Sequence, residues 1–123
     1  METNVNEITI NGIKYVPANS VEKMADAVDG MRFCIVRTYS AGVHAGYIKS
    51  VDGKIVTLIN ARRFWRWAGA FTLSELAVKG TTDPDNCKFA ITVPEIILTE
   101  AIEIIPCTET AKNSILGVDN YDC

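Results

Sequence analysis

Two short turns divide residues 31–60 into three segments that are rich in β-branched and aromatic residues. The segments are MRFCIVRTY, VHAGYIKS and KIVTLIN, and glycine-containing breaks at 40–42 and 52–53 separate them. Glycine in such breaks readily adopts the positive φ angles that tight hairpin turns need. The pattern predicts an antiparallel meander of three neighbouring strands, which ARRFWRWAG at 61–69 continues as a strand or a bulged loop.

Shorter signals on either side of the meander predict a hairpin and short helices. An Asn-Gly pair between two alternating apolar runs predicts a hairpin over residues 7–16. Capping boxes, in which Asn or Thr is followed three residues later by Glu, predict helices over 19–30 and 72–80. Thr108 is placed to cap a last helical turn or two.

The last third of the chain is also rich in β-branched residues. Residues 88–105 are typical of strand, but Pro94 interrupts them, so two strands or one bulged edge strand are predicted. A surface loop is expected at 81–86 and an acidic flexible tail from about residue 116. The fold class is therefore α+β with β dominant: one domain over residues 1–123, built as an antiparallel meander or small barrel-like sheet with two or three short helices.

The composition argues against several classes of protein. No apolar run approaches the ~18 residues of a membrane span, and the N-terminus lacks the features of a signal peptide, so we expect a cytoplasmic protein with no membrane partner. The four cysteines are widely spaced and His44 is the only histidine, so no metal site is predicted. Phosphate-loop, dinucleotide and serine-hydrolase motifs are absent. We therefore expect no cofactor and no enzymatic activity.

Charge is segregated along the chain. Residues 31–70 carry seven cations and one acid, Asp52, for a net charge of +6, whereas the remainder carries five lysines and fourteen acids, for −9. The meander should therefore present a basic surface that suits an anionic ligand. Internal pairing with acids such as Glu95, Glu100 and Glu103 is the alternative.

The densest functional signal is NARRFWRW at residues 60–67, where three arginines alternate with three aromatic residues. An extended chain places two sets on opposite faces: Arg62, Phe64 and Arg66 on one, and Arg63, Trp65 and Trp67 on the other. Because each face carries arginine, both cannot easily be core, and at least one face should expose an arginine beside an aromatic ring. That pairing suits a phosphate with a stacked base. Anchoring of the core by the two tryptophans is the alternative.

A second candidate region is YSAGV at residues 39–43, where hydroxyl groups precede a glycine that lets backbone approach a ligand. A plain hairpin connection is the alternative. The predicted roles are phosphate binding by arginine, stacking by aromatic rings and polar contacts by the others. The candidate ligand-binding residues are Arg37, Arg62, Arg63 and Arg66; Trp65, Trp67 and Phe71; and Tyr39, Ser40 and Asn60.

The charge balance favours a small anionic nucleotide over duplex nucleic acid. The pI is about 5.1, and the acidic remainder of the chain would repel a backbone that extends beyond a local basic patch. A curled sheet of this size has little room for a deep cleft. We therefore expect a homo-oligomer with the site near an interface between protomers.

Three segments carry a resemblance to a known family: RTYSAGVHAGY at 37–47, NARRFWRWAGAFTLSELA at 60–77 and LTEAIEIIPCT at 98–108. They resemble a family of small uncharacterised proteins of bacteriophages, prophages and gut metagenomes, over about residues 30–115. More loosely, the pattern is similar to anti-Thoeris sponge proteins of the first type. Those are non-enzymatic phage proteins that sequester cyclic ADP-ribose signals, and in some members cyclic oligonucleotides, as dimers assembled into hexamers.

The resemblance implies a phage-encoded accessory protein that acts in the bacterial cytoplasm. Together with the arginine–aromatic cluster, it predicts a non-enzymatic protein that sequesters a cyclic nucleotide immune signal to counter antiviral defence. One alternative is an anti-CRISPR-like inhibitor that docks on a host defence protein, since tryptophan and arginine are also interface residues. Another is a phosphodiesterase that uses His44 with Asp52 or Glu75. A structural phage component is the last alternative.

Overall fold

The computed structural model describes residues 8–10, 13–15 and 23–121, the first two ranges by backbone alone. In chain order the strands and helices are β1 (Ile8–Ile10), β2 (Ile13–Tyr15), β3 (Phe33–Thr38), β4 (Val43–Asp52), β5 (Ile55–Arg66), α1 (Leu73–Lys79), a 3₁₀ turn (Pro84–Asn86), β6 (Lys88–Phe89), β7 (Val93–Leu98), β8 (Ala101–Pro106) and α2 (Glu109–Gly117). None of the helices in these ranges is long and apolar enough to cross a membrane.

The predicted β-dominant α+β fold is confirmed. Strands β3, β4 and β5 form the expected antiparallel meander at the centre of a six-stranded sheet of order β6-β5-β4-β3-β8, and β7 also pairs with β5. Strands β1 and β2 pair antiparallel with Ile10 opposite Ile13, as the hairpin prediction required.

The sheet curls but does not close. Strands β7 and β8 are joined by only residues 99–100, yet β7 pairs with β5 and β8 pairs with β3, on opposite sides of the meander. A connection this short requires the two sides of the sheet to approach each other. Within the described residues no ladder of hydrogen bonds joins β7 to β8, so the sheet is open.

A bulge in β5 sets which side chains lie on each face. Gly46 on β4 lies opposite two residues of β5, Asn60 and Ala61, and Asn60 has a φ of 51°. This extra residue shifts the alternation of side chains beyond it by one position. Ala61 therefore lies with Leu58 on one face, and Arg62 lies on the other.

Apolar side chains pack on both faces of the sheet. Helices α1 and α2 cover one face and form the helix-side core, which includes Phe33, Ile35, Ala45, Phe64, Leu76, Phe89, Ala111 and Ile115. The curl of the sheet encloses a second core of Val36, Val56, Leu58, Ala61 and Leu98. Together the two cores contain most of the buried apolar side chains of β3 and β5, whereas Ile55 and Trp65 of β5 are exposed.

Both predicted helix caps downstream of the meander are confirmed. The Thr72 hydroxyl accepts a hydrogen bond from the backbone N–H of Glu75 at 3.0 Å, and Thr108 accepts one from Ala111 at 3.1 Å. Each bond satisfies an amide that has no partner within its own helix. Gly80 ends α1 with a φ of 75°, where a side chain would be strained.

Two local predictions were wrong. The described part of the segment expected to be helical over 19–30, residues 23–30, contains no helix, because it runs alongside the segment before α2 and Ala25 donates its N–H to the carbonyl of Cys107. Residues 19–22 lie outside the described residues. Pro94 lies within β7, and the breaks fall at 90–92 and 99–100 instead.

The residues after α2 contact the rest of the domain. Val118 is buried in the helix-side core, and the backbone N–H of Tyr121 donates to the carbonyl of Phe89 at 2.8 Å. Residues 116–121 of the predicted acidic tail thus include the last two residues of α2 and a buried side chain.

Substitution of Gly46 by alanine tests the bulge. A Cβ at Gly46 would lie 3.0 Å from the Cα of Ala61 and 3.2 Å from the carbonyl oxygen of Ile59, so β4 and β5 would have to separate. We expect Gly46→Ala to lower the free energy of unfolding by about 1–3 kcal/mol, measured by urea denaturation. Gly117→Ala is the control, because a Cβ at that position would meet none of the described residues within 4 Å and should be neutral or slightly stabilising. Equal effects at the two positions would contradict the tight contact.

Candidate functional site

Arg62 is buried beneath the sheet, with only 2% of its surface exposed. All five N–H groups of its guanidinium have acceptors, and every acceptor is within the chain. Nε donates to the carbonyl of Ala90, one terminal nitrogen to those of Ile115 and Val118, and the other to the carbonyl of Phe89 and the side-chain oxygen of Asn120. Burial lowers the pKa of Arg62, and the nearby Asp119 carboxylate opposes that shift.

This environment corrects the role predicted for Arg62. A guanidinium with five internal acceptors has no free donor for a phosphate. Arg62 instead joins β5 to the segment that carries β6 and to the end of α2, which makes it a structural residue.

Arg63, the next residue of β5, points to the opposite face and is half-buried. Its Nε donates to Nε2 of His44 at 3.0 Å, across the β4–β5 pair. Its guanidinium carbon lies 6.0 Å from the ring centroid of Trp65, within range of a cation–π interaction. The Trp65 side chain is 64% exposed. An arginine beside an accessible aromatic ring, as the sequence predicted, is thus present at these two residues, although the arginine itself is half-buried.

A shallow groove of about 190 Å³ lies beside this pair. We call it the Arg63–Trp65 groove. Its other lining residues come from β5, from β7 and from the segment that leads into β7, and all are apolar: Ala61, Ala90, Ile91, Val93 and Ile96. The groove therefore combines one cation, one exposed indole ring and an apolar floor.

The other predicted residues of β3 and its turn lie outside this groove. The Nε of Arg37 donates to a carboxylate oxygen of Glu103 at 3.0 Å, which is the internal pairing that the charge argument held as the alternative. The Ser40 hydroxyl hydrogen-bonds to the carboxylate of Glu100. Tyr39 is 78% exposed. These residues cluster with the β7–β8 turn.

The remaining four predicted residues are also dispersed. Asn60 is exposed at the bulge, and Arg66 is exposed at the end of β5. Trp67 leaves the strand and packs, partly buried, against the helix-side core. Phe71 is 98% exposed at the start of α1 and lines a separate hollow of about 280 Å³.

The pKa values of His44 and of two buried cysteines decide whether these groups could act as acids, bases or nucleophiles. Burial, with a smaller contribution from the charge of Arg63, lowers the pKa of His44 to about 4, so the imidazole is neutral at pH 7. Burial raises the pKa of Cys34 to about 11 and that of Cys107 to about 12, so both are protonated thiols and weak nucleophiles. Neither Asp52 nor Glu75 hydrogen-bonds to His44.

A grouping of three or more potential metal ligands does not occur within the ranges that the structure describes. Sequence reasoning missed the bond between His44 and Arg63 and the apolar residues at 90–96. The only sequence signal for this bond is the Asp-Gly turn, from which the residues of β4 and β5 can be paired one by one. Two register shifts between the strands make that pairing incorrect by the time it reaches His44.

Replacement of Arg62 by lysine should strongly destabilise the fold. A lysine ammonium cannot reach the five acceptors, so buried carbonyls lose their partners and a buried charge is poorly compensated. We expect Arg62→Lys to lower the free energy of unfolding by about 3 kcal/mol or more, measured by urea denaturation. Arg66→Lys, on the exposed end of the same strand, should change it by less than about 0.5 kcal/mol. Similar values for the two variants would contradict the structural role of Arg62.

The lowered pKa of His44 predicts a loss of stability in mild acid. Because its pKa falls from 6.5 to about 4 on folding, the unfolded chain takes up the proton first as the pH decreases. The stability is complete above pH 6.5 and decreases by about 1.4 kcal/mol per pH unit between pH 6.5 and 4. Urea denaturation at pH 7 and pH 5 should differ by about 2 kcal/mol. His44→Gln should remove this difference, and a slope that persists in that variant would assign it to other groups.

The comparisons with known proteins give one family. A model for a domain of unknown function, DUF6948, matches residues 31–115, which is more than half of the chain and contains the meander, the Arg63–Trp65 groove and most of both helices. Nothing among the curated proteins and nothing among the solved structures matches the chain. The chain belongs to the DUF6948 family.

Proposed function

We propose that this protein is a non-enzymatic binding protein that holds a nucleotide at the Arg63–Trp65 groove. One observation carries the proposal: an exposed indole ring lies beside a guanidinium whose two terminal nitrogens have no hydrogen-bond partner among the described residues. A base stacked on such a ring gains about 1–3 kcal/mol. The free end of a guanidinium matches the oxygens of a phosphate and can bind them in a bidentate manner.

The rest of the groove is consistent with binding of a flat, partly apolar ligand. Its apolar lining can cover the face or edge of a base, while the cation at its side neutralises a phosphate. The groove is smaller than the ~300–1,000 Å³ of most small-molecule sites. We therefore propose that a second copy of the chain contributes the remaining surface and that the binding form is a homo-oligomer.

The biological role that we propose is sequestration of a cyclic nucleotide immune signal, of the cyclic ADP-ribose or cyclic oligonucleotide type, by a phage-encoded protein in the host cytoplasm. Support comes from the sequence resemblance to phage proteins and from the agreement between that ligand class and an arginine–tryptophan pair. Sequestration needs tight binding without turnover, and preorganised side chains supply tight binding.

A protein partner is the second candidate. Ile91 is 56% exposed at the same groove as Trp65, and arginine with tryptophan is typical of interface hot spots. This candidate corresponds to an inhibitor that docks on a host defence protein.

Thermal unfolding with a panel of cyclic ADP-ribose isomers and cyclic di- and trinucleotides tests the proposal. A ligand present at 100 times its Kd should stabilise the protein by about 2.7 kcal/mol, and so raise Tm by several degrees. Mass spectrometry of the ligand released by heat should recover it intact. Trp65→Ala and Arg63→Ala should each weaken binding at least tenfold, and Arg66→Ala, an exposed arginine outside the groove, should change it by less than twofold.

The other outcomes point to other functions. Recovery of a cleaved ligand would make the protein a phosphodiesterase. No shift with any nucleotide would contradict the proposal, and stoichiometric recovery of a host protein that Trp65→Ala abolishes would then favour the protein partner.

A further inference from the structure

The contact between His44 and Arg63 fixes the hydrogen position on a buried imidazole. Because Nε2 of His44 accepts the hydrogen bond from Arg63 Nε at 3.0 Å, Nε2 carries no hydrogen and the neutral ring must be protonated at Nδ1. Nδ1 is buried and has no hydrogen-bond partner in the described part of the chain. The ring thus carries a buried donor that has no acceptor among the described residues, and such a group calls for an explanation.

The surroundings of His44 hold its ring in place. His44 has no exposed surface and pairs with Val36 of β3 on one side and with Arg63 of β5 on the other. The acceptor therefore sits in the centre of the meander, on a strand that is hydrogen-bonded along both edges. The Arg63 side chain, by contrast, reaches the surface, where a long side chain without such an anchor would sample many rotamers.

The bond to His44 decides how Arg63 faces the groove. It uses Nε, and the two terminal nitrogens, with four N–H groups in one plane, have no partner among the residues that the structure describes. Trp65 lies 6.0 Å from the same guanidinium, so the bond to His44 and the contact with Trp65 both restrict the position of the guanidinium. A guanidinium held this way binds an anion at a lower entropic cost than a mobile one.

We propose that His44 is a positioning residue that aims the Arg63 guanidinium into the Arg63–Trp65 groove and so creates a bidentate site for a phosphate group. This inference rests on the proposed function of the groove. It assigns the phosphate end of the ligand to Arg63, with His44 behind it, and the base end to Trp65.

Nitrogen NMR on the wild-type protein without ligand tests the contact itself. The spectrum of His44, the only histidine, should show a hydrogen on Nδ1 and none on Nε2. The Nε–H signal of Arg63 should exchange slowly with water. A hydrogen on Nε2 would overturn the inference whatever the ligand.

Binding of two simple probes tests the consequence. Inorganic pyrophosphate reports on the phosphate end through the Arg63 Nε–H signal, and adenosine reports on the base end through Trp65 fluorescence in a Trp67→Phe background. His44→Gln keeps an acceptor oxygen and should leave the Kd for pyrophosphate within threefold. His44→Leu removes the acceptor and should raise that Kd at least tenfold, with the Kd for adenosine within twofold. If His44 had a purely structural role, His44→Leu would change the Kd values of both probes together or of neither.

The possible failures are distinct. If wild type binds adenosine and not pyrophosphate, or if His44→Leu binds pyrophosphate as wild type does, the positioning role is wrong and the stacking site stands. If wild type binds neither probe, the proposed function fails as well. If His44→Leu does not fold, His44→Met provides a second variant without a ring acceptor. The tautomer of the wild-type imidazole still shows whether Nε2 accepts the hydrogen bond from Arg63.

Discussion

The five hydrogen bonds of Arg62 are the interaction on which the rest of the structure depends. They bring the middle of β5 together with the carbonyls of residues 89–90 and with the end of α2. These segments lie far apart in sequence, and the described residues offer the carbonyls of Ala90 and Val118 no other donor. A single guanidinium satisfies them because its N–H groups point outward in one plane. The helix-side core can therefore close over the sheet without leaving these backbone groups unpaired.

Burial of Arg62 also explains why its neighbour is accessible. Side chains alternate along a strand, so Arg63 and Trp65 must lie on the face opposite Arg62. On that face β4 supplies His44, and the segment from residue 90 to 96 supplies the apolar lining of the groove. The fold thus gives Arg62 a structural role and places its neighbour Arg63 at a candidate binding surface. The β5 bulge at Asn60 decides which arginine lies on which face, since without it Arg62 would share a face with Leu58.

Local signals predicted a large part of the fold. The turns of the meander and the caps at Thr72 and Thr108 act over two to four residues, so their chemistry can be read directly from the chain. The helix predicted over 19–30 is absent from its described part, because hydrogen bonds between this segment and residues near 107 take the place of local ones. Of the ten candidate residues, Arg63 and Trp65 lie side by side, as the alternation of arginine and aromatic residues predicted, and the other eight do not join them in one site.

The sequence by itself determined that the chain forms an antiparallel meander with capped helices and that arginine and tryptophan alternate along β5. Only the tertiary structure decided which arginine is buried, since register shifts and the bulge depend on the close approach of Gly46 to Ala61. It also decided that Arg37 pairs with Glu103 and that His44 supports Arg63. Those contacts join residues 19 to 66 positions apart, and no local pattern specifies which distant strand will supply the partner.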